Sequence, residues 1–217
     1  ALHGAELHWI KGDRQARKEA VRKFCEDTGI LFFDYGSNPY FSEGQKTMAY
    51  EIAEQMDTPP DHIIVATGNG SVLIGLRKGF GEMLEDGRVQ RMPRIHAAQA
   101  ELFQPLVAAY DERGWSRPPD DTRSVAVGIR IAEPPRLQAV VKAMRETGGQ
   151  PVAVPEKAII SWQRRLAQGE GIFIEPTSAT ALAGLEALVA QRVIGGNDTV
   201  LVPLTGAGIK EPIPELP

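Results

Sequence analysis

Short, continuously apolar runs alternate along this chain with longer segments of helical period, and Gly, Pro or Asp mark most of the joins. A strand apolar on both sides has no solvent face, so it must be covered above and below. The alternation therefore predicts an α/β fold, a mostly parallel sheet with helices on both faces. Strands are expected around Leu7–Trp9, Ile30–Phe33, His62–Ala66, Ile95, Val125, Val152, Ile172–Ile174 and Thr199–Leu204. Helices are expected over 14–28, with Ala16, Ala20, Phe24 and Cys25 on one face, and from a capping box at Ser42 and Gln45. Further helices should follow Ser71 and Glu101, run from Pro134 to Thr147, include Ile159, Trp162 and Leu166, and run from Thr177 to about Arg192. Trp115 to Thr122, with two prolines and two aspartates, reads as an exposed loop.

Composition narrows the function. Twenty-four basic residues against 28 acidic ones give a formal charge of −4. No stretch gathers Lys and Arg into a basic stripe, which argues against a nucleic-acid partner. No apolar run approaches the ~20 residues that cross a bilayer, so no membrane partner is expected. One cysteine, Cys25, excludes an internal disulfide framework and suits a reducing, cytoplasmic setting. Cys25 itself reads as packing. His3, His8, His62 and His96 lack metal-ligand spacing, and Lys46 reads as a solvated lysine.

Ligands of open α/β sheets sit at the carboxyl ends of the strands. Three loops there carry candidate chemistry. Thr67-Gly68-Asn69-Gly70-Ser71 joins an apolar strand to a helix, and its backbone N–H groups with the helix N-terminus can cradle a phosphate. An ordinary tight turn would need the same glycines. Glu175-Pro176-Thr177-Ser178-Ala179 opens a helix whose small residues, Thr180 to Gly184, allow close packing, and Thr177 or Ser178 can cap it. Thr205, in Leu204-Thr205-Gly206-Ala207-Gly208-Ile209-Lys210, can point its hydroxyl into the crevice or bond its own turn.

Taken together these loops resemble the fold-type II pyridoxal-phosphate enzymes, and among them the threonine synthases. The matching residues are Ser37-Asn38-Pro39-Tyr40 with Glu43-Gly44-Gln45-Lys46-Thr47, then Gly68-Asn69-Gly70-Ser71. They continue through Pro93-Arg94, Gln99-Ala100-Glu101, Gly171-Ile172-Phe173, the Glu175–Ala179 loop and Thr205–Lys210, in the family's order. The resemblance implies pyridoxal 5'-phosphate as cofactor, its phosphate held by Gly68, Asn69, Gly70 and Ser71. It implies Thr205 at the pyridine nitrogen, where a neutral hydroxyl leaves that nitrogen unprotonated. Asn38 would meet the substrate phosphate. Residues 1–35 would be the end of a small domain and 36–217 the large cofactor-binding domain.

The implied reaction converts O-phospho-L-homoserine and water into L-threonine and phosphate, in an enzyme that is a homo-oligomer when complete. Two positions depart from the family: Ser71 replaces a usual glycine and Ala207 a usual histidine. A larger departure is that the family's N-terminal motif bearing the Schiff-base lysine is absent. None of Lys11, Lys18, Lys23, Lys46, Lys78, Lys142, Lys157 or Lys210 stands in such a setting. The expected partners are therefore a small phosphorylated amino acid and an N-terminal segment of the enzyme, with no catalytic residue in these 217 residues. The alternatives are another lyase of the superfamily, such as a cysteate synthase or threonine dehydratase, or a module that binds pyridoxal phosphate or a phosphorylated metabolite without reacting.

Overall fold

The computed structural model describes residues 3–11, 14–33 and 38–210, which form two compact units, Ala1–Asn38 and Pro39–Pro217. The first unit contains α1 (Arg14–Thr28), as its apolar spacing predicts. Ala16, Ala20 and Cys25 are half-buried on it, and Phe24 is exposed with the His8 ring 5.3 Å away. Neither Leu7–Trp9 nor Ile30–Phe33 is a strand, contrary to expectation. Trp9 is 87% and Leu31 81% exposed, and an apolar run becomes a strand only where a neighbour takes up its backbone groups.

The second unit runs α2 (Pro39–Gln45), α3 (Thr47–Gln55), β1 (His62–Ala66), α4 (Ser71–Glu85) and β2 (Arg94–Ala100). It continues with α5 (Pro105–Tyr110), α6 (Leu137–Thr147), β3 (Pro151–Val154), α7 (Glu156–Glu170), α8 (Pro176–Ala190) and β4 (Val200–Leu201). The sheet order is β3-β2-β1-β4, and every pairing is parallel. Successive strand residues face opposite sides, and both sides are apolar. Ile63, Val65, Ile95 and Ala97 pack with α3, α4 and α6, whereas Ile64, Ala98, Ala100, Val152 and Val154 pack with α7 and α8. The predicted parallel sheet with helices on both faces is therefore the architecture found.

The small residues of α8 lie flat on that sheet. A Cβ on Gly184 would come 2.8 Å from Ala98 Cβ and 3.2 Å from Val152 Cγ1. On the other face Gly75 and Gly79 of α4 admit the α2–α3 junction. Added Cβ atoms there would meet Gln45 Cβ at 2.7 Å and the Lys46 carbonyl oxygen at 2.6 Å. This close approach replaces the expected capping box. Ser42 lies within α2, and its Oγ accepts from Arg136 Nη1 at 2.7 Å.

Other boundaries move for local reasons. The segment at Val125 is no strand; the Val125 N–H donates to Glu156 Oε2 at 2.7 Å, and a 3-10 turn covers Val127–Ile129. Glu101–Phe103 is a 3-10 turn, with α5 opening on Pro105, which suits a first helical position. Chain 134–136 leads into α6 as a loop. Ile172–Ile174 contributes one antiparallel bridge, Ile174 to Ala207, and the last strand is only two residues long, with Pro203 unable to donate to a ladder. No helix among the described residues is long and apolar enough to cross a membrane.

Candidate functional site

The loops after β1 and β4 lie at the carboxyl ends of neighbouring strands, so they border one crevice. After β1 the Thr67 N–H bonds the Ala98 carbonyl at 2.9 Å, and its hydroxyl donates to the Val65 carbonyl at 2.7 Å. The loop is also held by Gln99, which is fully buried. Its Nε2 donates to the Thr67 carbonyl at 3.1 Å, and its Oε1 accepts the Leu106 N–H at 2.9 Å.

Gly70 is the N-cap of α4 with φ +80°, a conformation costly for any residue with a Cβ. That Cβ would also lie 2.0 Å from Val140 Cγ2, and one on Gly68 would lie 3.0 Å from Ile129 Cα. Packing alone thus requires both glycines, and Gly70→Val would disturb the fold before it reported on any ligand. The helix end remains. The first N–H groups of α4 have no intrahelical acceptor, and a helix of 15 residues presents them with partial positive charge. Asn69 and Ser71 stand beside them half-buried, and neither side chain has a partner among the described residues.

The segment predicted as a strand near Val125 instead roofs this loop. Ile129 and Ile131 rest against Gly68, and the Gly128 N–H donates to Thr177 Oγ1 at 3.0 Å. Ser178, fully buried, accepts the Gly206 N–H at 3.0 Å. Thr177 and Ser178 therefore fasten two neighbouring loops and do not cap α8, whose N-cap is Glu175.

Around the third loop, Gly206 O accepts the Glu175 N–H at 3.0 Å and the Gly208 N–H donates to the Phe173 carbonyl at 3.0 Å. The Glu175 carboxylate fills the space a Cβ on Gly206 would need, and Lys210 Nζ pairs with it at 3.2 Å. The sequence places Glu175 in a candidate loop but shows no role for its carboxylate, because only the fold brings it onto Gly206. Thr205 is exposed, and its hydroxyl bonds nothing among the described residues, so its own turn does not use it. Asn38 is half-buried at the end of the first unit, and Ser37 lies outside the described residues.

Lys46 is not a solvated lysine. Its Nζ lies 2.7 Å from Glu43 Oε2 and 3.0 Å from Glu82 Oε2, and Tyr50 donates to the same Glu82. Glu43 and Glu82 hold its pKa above the ordinary lysine value. Glu43, bonded by Lys46 and Lys78, and Glu82, bonded by Tyr50 and Lys46, are held below theirs. An ammonium kept protonated in this way is a poor nucleophile. Among the described residues, the charged part of the Glu43–Thr47 motif thus serves the α2–α3–α4 junction. No group of His, Cys, Asp or Glu among the described residues could hold a metal ion.

A long helix N-terminus at one strand end, with an unpartnered hydroxyl at the next, is an arrangement at which an α/β protein can receive a phosphorylated ligand. The sequence model of the family described as pyridoxal-phosphate dependent enzyme matches residues 1–206, and the chain belongs to that family. It is 36% identical over 213 residues to a threonine synthase of Methanosarcina acetivorans, covering 97% of this chain and 52% of that one. It is 32% identical to a threonine synthase of Methanocaldococcus jannaschii over the same shares. The chain thus spans about half the length of these relatives. Among solved structures, maize serine racemase matches with TM-score 0.75 at 18% identity, over 95% of this chain and 60% of that one. A T.th. threonine deaminase matches with TM-score 0.75 at 22% identity, over 98% and 66%. These likenesses carry the fold.

Pyridoxal phosphate is the cofactor of this family. The residues present fit it. Backbone donors and two unpartnered side chains suit a phosphate, and one hydroxyl at the neighbouring strand end suits a ring nitrogen.

Proposed function

We propose that the chain is the cofactor-holding part of a threonine synthase-like lyase that converts O-phospho-L-homoserine and water into L-threonine and phosphate. The observation that carries the reading is the trio of unpartnered polar side chains, Asn69, Ser71 and Thr205, at the carboxyl ends of adjacent parallel strands. The similarity to threonine synthases over 97% of the chain supports this choice of reaction. Gly68, Asn69, Gly70 and Ser71 receive the cofactor phosphate, and the helix dipole of α4 favours its charge. Thr205 donates to the pyridine nitrogen, Ser178 holds Thr205's loop through Gly206, and Asn38 meets the substrate phosphate. When bound, pyridoxal phosphate supplies the electron sink that stabilises negative charge on the substrate carbons. The lysine that holds it covalently lies outside these 217 residues, in a segment of the enzyme that precedes them. The complete enzyme works in the cytoplasm as a homo-oligomer.

The test is mass spectrometry of the chain after incubation with pyridoxal phosphate and borohydride. No lysine of this chain should become stoichiometrically labelled. Joining the chain to an N-terminal segment bearing the lysine motif should restore labelling there and release phosphate from O-phospho-L-homoserine. Labelling of one lysine in the 217 residues would contradict the assignment, and restored labelling without phosphate release would favour another lyase of the family.

A further inference from the structure

The segment that roofs the glycine loop before α4 carries a cation with no counter-ion. Its backbone, residues 124–131, is pinned along its length. The Ala126 N–H donates to Ser124 Oγ at 3.1 Å, the Ile129 N–H to the Ala126 carbonyl at 3.1 Å and the Ile131 N–H to the Ile129 carbonyl at 2.8 Å. Ala126 and Ile129 are buried in the core on the α7–α8 side of the sheet. The same segment closes over Gly68. A Cβ there would lie 3.0 Å from Ile129 Cα, 3.0 Å from Ile131 Cδ1 and 3.5 Å from the Gly128 carbonyl oxygen. Arg130 stands between Ile129 and Ile131, so its backbone is fixed beside the loop that opens α4.

Arg130 is half-buried, and its side chain makes no hydrogen bond, ion pair or ring contact among the described residues. Other half-buried cations of the second unit are committed. Lys46 and Lys78 pair with Glu43, Arg77 pairs with Glu146 at 2.8 Å, and Arg136 donates to Ser42. On the neighbouring loop Lys210 pairs with Glu175. A guanidinium that gives up part of its hydration and gains no anion is held at a cost. Its fork of N–H donors is left open to a ligand.

Charge decides what that ligand group is. The residues assigned to the site so far, Asn38, Asn69, Ser71 and Thr205, are all neutral. The N–H groups and dipole of α4 can serve one phosphate, that of the cofactor. The substrate of the proposed reaction brings a second, with nearly two negative charges at neutral pH. Two such groups in one crevice repel each other unless a cation stands with them. We infer that Arg130 is a substrate-binding residue whose guanidinium receives the phosphate of a phosphorylated amino-acid ligand, an assignment that rests on the functional reading above. The planar fork meets two phosphate oxygens at once, which a lysine ammonium does not.

Calorimetric titration with inorganic phosphate tests it, on the chain joined to its lysine-bearing segment and saturated with pyridoxal phosphate. With the α4 site filled, one further phosphate should bind. Arg130→Met keeps the apolar stem and removes the charge, and should weaken that phosphate about tenfold or more. Arg130→Lys should lose less, and pyridoxal phosphate should bind all three proteins alike. The KM for O-phospho-L-homoserine should rise about tenfold in Arg130→Met, while L-homoserine, which has no phosphate, should bind it as it binds wild type. No further phosphate in wild type, equal phosphate affinity in Arg130→Met, or a loss confined to pyridoxal phosphate would overturn the inference. A wild type that takes the further phosphate through Arg130 but releases none from O-phospho-L-homoserine would uphold the Arg130 site and contradict the reaction proposed for it.

Discussion

Replacing Gly149 by alanine is expected to destabilise the fold by about 3 kcal/mol or more, whereas the same change at Gly148 should cost about 1–2 kcal/mol. The two residues are adjacent and glycine for different reasons. Gly148 closes α6 with φ +68°, but a Cβ there would meet nothing nearer than Arg94 Cγ at 3.9 Å. Its cost is the left-handed backbone alone. Gly149 is buried against β2, and a Cβ there would lie 1.9 Å from the Ile95 carbonyl oxygen and 2.5 Å from its carbon. Backbone atoms cannot turn aside as a side chain can, so β2 must shift, with loss of the adjoining pairing between Ala97 and Gln150. Urea denaturation of the two variants measures the difference. Equal midpoints would mean that α6 and β2 are not packed as described.

The second large effect concerns ligand and separates binding from stability. Ser71→Asp places a carboxylate in the first turn of α4, where the helix dipole favours it by about 0.3–1 kcal/mol, so thermal stability should hold or rise. A bound phosphate meets the same carboxylate as a like charge. Two unit charges 4 Å apart repel by about 1 kcal/mol in water and about 4 kcal/mol at an effective dielectric of 20, so affinity should fall about tenfold or more. Calorimetric titration with inorganic phosphate and with pyridoxal phosphate should show both losses in a protein that melts no earlier. Unchanged affinity would remove the α4 N-terminus from the site.

Most of the second unit's framework could be read from sequence because its signals are local. His62–Ala66 and Val152 lie in doubly covered strands with no solvent face, and the glycine turn before Ser71 marks a helix start. Errors fell where a short apolar run needed a distant neighbour to decide it. Leu7–Trp9, Val125 and Ile172–Ile174 have strand composition but gain no ladder, because sheet membership is a tertiary property. The loops of the candidate site were legible, but the devices holding them were not. Thr177 reaches across 49 positions to Gly128, and Gln99 reaches back 32 positions to Thr67. His62 and His96, 34 positions apart, lie within 2.9 Å of each other only because the β1–β2 register sets Ile64 beside His96.

The central claim, that one crevice takes the phosphate at α4 and the ring nitrogen at Thr205, is tested most directly by Thr205→Val. The change keeps the side chain's shape and removes its hydroxyl, which costs about 0.5–1.5 kcal/mol for a neutral hydrogen bond. Titration of the variant, joined to its lysine-bearing segment, should show pyridoxal phosphate bound several-fold more weakly and inorganic phosphate bound as before. Unchanged affinity for both ligands would take Thr205 out of the site and contradict the account.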